Sequence, residues 1–314
     1  MSIFHNSTSP IFLLMGVPGL EWAHAWVSIP ICCLYLTAVS GNTLILFVVL
    51  SEPSLHEPMY YFLCMLSTSD LGLCISTLVT VLGIFWLNAR EISLDACLSQ
   101  MFFNHLFTVI ESSVLLAMAF DRFVAISNPL RYVSILTDLK IAQIGAAIIT
   151  RGTLIIIPMV LLLKPLSFCQ SHVIHHSYCF HPDVMKLSCT DTRVNSAFGL
   201  TVVISTVGID SIFILLSYIL IIHSVLNIAS PEERRKAFNT CISHLCAVAI
   251  FYIPLINLSF VHRSGKHAPP YVPTLIANIY LLLPSVLNPI IYSVKTKQIQ
   301  KAKLKLVFSK GIQI

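Results

Sequence analysis

Seven stretches of roughly 20 mainly apolar residues run through the sequence, near 26–50, 59–84, 96–120, 141–163, 198–226, 238–262 and 272–294. A helix needs about 20 such residues to cross the hydrocarbon core of a bilayer. Lipid offers no partners to backbone polar groups, so only helices and closed barrels can span it. Barrel strands would appear as weaker ten-residue alternating segments, so the pattern predicts an all-α membrane protein, a seven-transmembrane helix bundle. Composition agrees. With 56% hydrophobic and 11% charged residues and a mean hydropathy of +0.84, the chain has too little polar surface to cover a soluble globule. We read residues 1–314 as one domain, with an outer lid loop at 164–197 and an inner tail at 295–314.

Lys and Arg in the loops set the orientation, because cytoplasmic loops carry the excess. Placing the C-terminus inside puts twelve of the nineteen basic residues in inner segments and six outside, with Arg151 left within a span. The N-terminus is therefore expected outside and the C-terminus in the cytoplasm, at a plasma membrane crossed several times. "NST" at Asn6–Thr8 is a glycosylation acceptor on that outer side. Residues 1–25 contain no Lys or Arg and do not resemble a cleavable signal peptide, so the first span is expected to act as its own insertion signal. The basic inner loop "ERRKAF" and the tail offer positive charge to a partner at the inner edge, and for the tail the preferred reading is charge facing lipid headgroups. Ile299, Ala302, Leu306 and Val307 at helical spacing predict a short amphipathic eighth helix on anionic lipid. No nucleic-acid partner is expected.

Charges within spans need a reason. A carboxylate at the bilayer centre costs about 2.5–3.5 kcal/mol on insertion scales. Asp70 lies midway along the second span and Glu111 midway along the third. Two close carboxylates cannot both stay charged without a cation, so a shared proton or a sodium ion is expected between them, and no other cofactor. Asp210 in the fifth span and Arg151 in the fourth raise the same question. Pro254 in the sixth span and Pro284 and Pro289 in the seventh each remove a helical hydrogen bond and permit a kink.

Of ten cysteines, Cys32, Cys33, Cys64, Cys74, Cys241 and Cys246 fall within spans and read as packing residues. Cys97, Cys169, Cys179 and Cys189 fall on the oxidising outer side, where four cysteines allow three pairings. His172, His175, His176 and His181 surround Cys179. Imidazole and thiolate suit zinc or copper, but a thiol held in a disulfide cannot ligate. The preferred reading is a disulfide-tied lid with solvated histidines.

"GN" at Gly41–Asn42, "PMYYFLCMLSTSD" ending at Asp70, Cys97, "MAFDRFVAISNPLRY" from Met118, Ser217–Tyr218, "KAFNTCISHL" and "PSVLNPIIY" occur in order along nearly the whole chain. In that combination and spacing the sequence resembles odorant receptors of the rhodopsin-like G-protein-coupled superfamily. "HSYCFHPDVMKLSCTDTRVNSAFGL", "VPGLEWAHAWVSIP" and "FYIPLINLSFVHR" are similar to the class I, or fish-like, branch. The resemblance implies capture of a small odorant in the outer half of the bundle and coupling to a stimulatory heterotrimeric G protein that raises cyclic AMP. It implies a Cys97–Cys179 bridge from the third span to the lid and an extra Cys169–Cys189 bridge within it. It gives Arg122 a role in an inner switch, held by Asp121 at rest and rearranging with Tyr218 and His244, alongside Asn288, Pro289 and Tyr292. Phe123 and Ser127 depart conservatively from residues common in relatives.

On the sixth span, Arg263 lies one turn from Ser259 and about two from Leu255 and Ile256, on one helix face. His105 approaches from the third span, and Tyr252 and Asn278 complete the candidate ligand site. A guanidinium above an apolar wall suits a small carboxylic acid, although Pro182 brings no side-chain donor from the lid. A different small metabolite sensed outside the nose is the alternative. A transporter would show internal repeats, which are absent, and a retinal pigment would need a lysine between Val272 and Val294, where there is none. No catalytic motif stands behind an enzyme.

Overall fold

The fold comes from a computed structural model that describes residues 10–17, 24–169, 171–264, 271–295 and 299–301. Its long helices are α1 (His24–Ser51), α2 (Pro58–Trp86) and α3 (Leu94–Ser127). After the short inner helix α4 (Tyr132–Ile135) comes α5 (Asp138–Leu161). The lid helix α6 (His181–Lys186) leads to α7 (Arg193–Val203), which continues through a π-helical turn, Ile204–Gly208, into α8 (Ile209–Leu226). The bundle closes with α9 (Pro231–Ser264) and α10 (Tyr271–Lys295). Six of these spans are long and apolar enough to cross a membrane. The seventh, α3, carries Glu111, Asp121 and Arg122 and stands at the centre, packed against α2, α5, α8 and α9. A polar helix is tolerable there because its neighbours shield it from lipid.

Local chemistry explains the ends. Ser93 caps α3 by accepting from the Ala96 amide at 3.4 Å, with Asp95 in the first turn, where helical N–H groups point outward. Thr137 does the same for α5 with Asp138 behind it. Pro58 opens α2, a position whose missing N–H costs nothing.

Tyr60, Leu63, Val114, Met118, Phe251 and Tyr292 belong to the inner core. The outer core joins Phe12, Ile84, Cys97, Met101, Ile174 and Val184. Leu36, Val79, Leu154 and Leu215 stand exposed on the perimeter, where the solvent is lipid.

The outer cap holds structure that hydropathy did not indicate. Strand β1 (Ile11–Leu14) pairs antiparallel with β2 (Glu91–Ser93) and parallel with β3 (Val173–Ile174), so the leader runs through the middle of a three-stranded sheet. Phe12 is fully buried there and meets Phe168 edge-on at 5.1 Å. Asn6, Ala302, Leu306 and Val307 lie outside the described residues. Ile299 is helical and buried in the inner core rather than turned to lipid.

Candidate functional site

A cavity of about 300 Å³ opens in the outer half, between α3, α5, α7, α9 and the lid. Met159, Val202, Val203 and Leu258 form apolar wall, and His105, His181, Lys186 and Ser259 are among its polar residues. The lid is fixed above it by covalent and polar ties. Cys97–Cys179 fastens it to the start of α3 and Cys169–Cys189 closes a loop within it. Gln100 braces the first bridge: its Oε1 accepts from the Cys179 amide at 2.9 Å, and its Nε2 donates to the Ser76 carbonyl and Thr80 Oγ1. From α10, Thr274 donates to the His175 carbonyl at 2.7 Å, and Tyr178 donates to the Ala277 carbonyl at 3.0 Å.

Of the expected ligand residues, His105 and Ser259 line the cavity, whereas Tyr252, Leu255, Ile256 and Asn278 are not among its lining residues. Ile256 is 52% exposed on the lipid side of α9: its neighbour Leu255 packs on the core, and adjacent residues on a helix point about 100° apart. Tyr252 is engaged with Ser112, and Asn278 donates to the Thr274 carbonyl of its own helix. Arg263 falls at the end of α9, with its side chain outside the described residues.

The lid histidines divide, which corrects the expectation that all are solvated. His172 and His175 are exposed, but His176 and His181 are buried. His176 Nε2 lies 2.8 Å from Asp183, which also holds Lys186 at 2.9 Å. His181 meets His105 edge-on at 6.4 Å between ring centres. No group of three or more metal-ligating side chains is assembled among the described residues. The signal that could have found His181 was its place two residues after Cys179, since a bridge to α3 must pull that segment over the bundle.

At mid-depth, Arg151 and Asp210 solve each other's burial. Arg151 Nη1 donates to Asp210 Oδ2 and Nη2 approaches Oδ1, both at 2.9 Å, a two-pronged guanidinium–carboxylate pair. The guanidinium also donates to Ser113 Oγ and to the Ser205 carbonyl in the π turn. Ser112 donates to Asp210 at 2.7 Å, so its oxygen is left to accept from Tyr252 at 2.9 Å. One polar network thus ties α3, α5, α8 and α9. Sequence reasoning flagged its two charges but not their partners.

Nearby, Asp70 accepts from Asn288 Nδ2 at 3.1 Å and faces Glu111 within hydrogen-bonding range. Asp70 Oδ1 and Glu111 Oε1 are buried without a hydrogen-bond partner. Pro289 accounts for the adjacent "GN". Lacking an amide, it strips the Ser285 carbonyl of its helical partner, and Asn42 Nδ2 donates there at 2.8 Å. A Cβ on Gly41 would come 2.9 Å from the Pro289 ring.

At the inner end, His244 Nε2 is 3.0 Å from the Leu115 carbonyl, which can only accept. Nε2 therefore carries the proton, Nδ1 is bare, and Tyr218 donates to it at 2.7 Å. Arg122 lies within electrostatic range of Tyr218, His244 and Tyr292. The expected Asp121–Arg122 hold is not the arrangement seen. Asp121 Oδ1 accepts from Tyr132 of α4 at 2.7 Å, and no ion pair joins it to Arg122 among the described residues. Adjacent residues on a helix point about 100° apart, so a partner from another element wins. Arg122 Nε and Tyr292 Oη are buried without hydrogen-bond partners.

A seven-helix bundle with a disulfide-tied lid over an outer cavity is the architecture of rhodopsin-like receptors. Squid rhodopsin superposes with a TM-score of 0.74 over 95% of this chain and 88% of that one, at 16% sequence identity. A family model described as "Olfactory receptor" matches residues 31–310. The human olfactory receptor OR51C1 is 68% identical over 97% of this chain and 98% of its own length, and human olfactory receptor 51F2 is 61% identical over 99% and 91%. The chain belongs to the olfactory receptor family and is a multi-pass receptor of the plasma membrane, not an enzyme.

Proposed function

We propose that this receptor detects a small carboxylic acid and answers by activating a stimulatory G protein that raises cyclic AMP. The observation that carries the ligand class is the cavity under the lid, apolar along most of its wall with His105 and Ser259 on it. Ser259 is one turn before Arg263, so a guanidinium at the end of α9 would take the carboxylate while the alkyl tail packs against Met159, Val202 and Leu258. Pairing a buried polar head with an apolar tail is the usual economy of small-ligand sites.

Ligand capture bears on α9, which Pro254 permits to kink. Movement of α9 separates His244 from Tyr218 and so frees the Tyr218 hydroxyl to meet Arg122, the latch toward the G protein. Asp70 with Glu111 holds a shared proton or a sodium ion beside the Pro289 kink. A cyclic-AMP reporter screen in transfected cells, with acids, alcohols and esters at fixed pH, tests the reading. A charge-assisted hydrogen bond contributes about 1.5–3 kcal/mol, so Arg263→Ala should weaken the acid response at least ~10-fold and spare a neutral agonist. An unchanged acid dose-response at equal surface level overturns the assignment.

A further inference from the structure

His105 and His181 come from different elements, α3 and the lid helix α6, and line the same cavity. Their rings meet at 6.4 Å, nearly perpendicular, and Phe180 covers His105 at 5.8 Å. The Nε2 atom of each is buried with no hydrogen-bond partner. Leaving a buried polar atom unpaired is costly, and here two such atoms sit in one cavity wall. A neutral imidazole brings one donor and one acceptor, whereas an imidazolium brings two donors and a charge. Burial pushes His181 down to about 4, so at neutral pH it is uncharged.

Among the described side chains, the surroundings offer little fixed positive charge for an anion. From α6, Lys186 reaches the cavity rim but is held by Asp183, which also holds His176. Met159 of α5, Ser196 of α7, and Leu258 and Ser259 of α9 do not ionise. Arg193 at the start of α7 is exposed and paired with Asp191, and Glu111, further along α3, faces Asp70. Arg263 of α9 lies outside the described side chains.

We propose that His105 and His181 form a proton-accepting pair: an anionic ligand entering the cavity draws in one solvent proton, held between a ligand oxygen and an imidazole nitrogen. The proton comes from solvent and bonds to an imidazole nitrogen, no covalent bond joins ligand to receptor, and the complex carries one proton more than free receptor and free anion together. The pair thereby selects acids over esters and alcohols of equal shape, which bring no charge to stabilise the added proton. The inference rests on the acid reading but asks a separate question, whether Arg263 alone carries the charge or the histidines take a proton as well.

The sign follows from linkage. Affinity for the anion falls as pH rises wherever the complex binds more protons than its free components. His181 is neutral in the free receptor well above pH 4, so the slope starts there and runs up to the pH at which the complex releases its extra proton, a limit that lies above neutral pH. The test is titration calorimetry on the purified full-length receptor with hexanoate, in two buffers of different ionisation heat at neutral pH, with methyl hexanoate as the uncharged control and other straight-chain acids where hexanoate is silent. We expect uptake of about one proton per hexanoate, affinity rising ~10-fold per pH unit of acidification, and no uptake with the ester. His105→Asn and His181→Asn, made separately, should each reduce the uptake. His181 packs against Gly199 of α7 and His105 of α3, so both variants are compared at matched thermal midpoint. Uptake near zero in the wild-type receptor overturns the inference and leaves the acid reading intact, as does full uptake retained in both variants. Binding of no straight-chain acid at all overturns both.

Discussion

At the scale of single residues, much of what looked like punctuation is repair of backbone polarity. Asn42 supplies the donor that Pro289 takes away from Ser285, and Gly41 leaves room for the same proline ring. Asn42→Ala orphans a buried carbonyl, which costs about 1–3 kcal/mol. The expected outcome is a lower thermal midpoint of purified receptor, with ligand affinity at the outer cavity little changed. An unaltered midpoint would mean that water replaces the amide. Gly41→Ala should be worse than helix propensity alone implies, because its Cβ would press on a rigid ring 2.9 Å away. The sequence exposed these residues as a motif but not their reason, since residues 42 and 285 become neighbours only through the packing of α1 on α10. The outer site shows the reverse limit. Helical spacing placed Ser259 on the cavity wall, yet Ile256 faces lipid and Tyr252 bonds Ser112. An apolar membrane helix lacks the polar outer stripe that would fix its rotation, because lipid and core reward the same side chains.

At the scale of elements, α8 with its π turn is the least regular span, and the Arg151–Asp210 pair sits against that irregularity. The guanidinium donates to Ser205 within the turn, so the widened helix supplies an acceptor that a regular ladder would have used internally. Removing one member of a buried pair strands the other charge, typically at a cost of about 3–5 kcal/mol. Asp210→Ala should therefore abolish surface expression, whereas the double change Arg151→Met with Asp210→Leu should restore part of it. A double variant that expresses no better than Asp210→Ala would show that the network's hydroxyl partners, not its charge balance, hold the bundle. The lid sheet is an element that hydropathy could not reveal. Four residues of strand are invisible beside spans of 25, and the pairing of β1 with β3 depends on where two disulfides carry the loop. Phe12→Ala, which empties a fully buried aromatic site, should cost about 3–5 kcal/mol if the cap does not collapse. Its expected readout is faster proteolysis of the outer loop at unchanged inner-face coupling.

At the scale of the whole molecule, the seven spans were legible because each must satisfy its own backbone in lipid, and their ends follow caps and prolines. What joins the outer cavity to the inner face was not, because it consists of contacts between helices far apart in sequence. The chain of contacts descends from Ser259 and Leu258 at the cavity along α9 to Tyr252, held by Ser112, and then to His244, held by Tyr218 and Leu115. A ligand can bias such an element only through contacts that differ between its two arrangements. In the arrangement described, Arg122 Nε and Tyr292 Oη are both buried and unpaired, and Asp121 is committed to Tyr132. That leaves Arg122 as a cation awaiting a partner rather than one locked by its neighbour. Arg122→Ala should then lose cyclic-AMP signalling while ligand binding at the outer cavity and surface level stay largely intact, since no hydrogen bond of the described bundle depends on Arg122 Nε. Tyr132→Phe, which releases Asp121 to face Arg122, should lower signalling less severely and at unchanged ligand affinity. Both are read by dose-response at matched surface expression. Equal signalling by Arg122→Ala would refute the latch, and a Tyr132→Phe curve identical to wild type would show that the α4 contact holds the loop without gating the arginine.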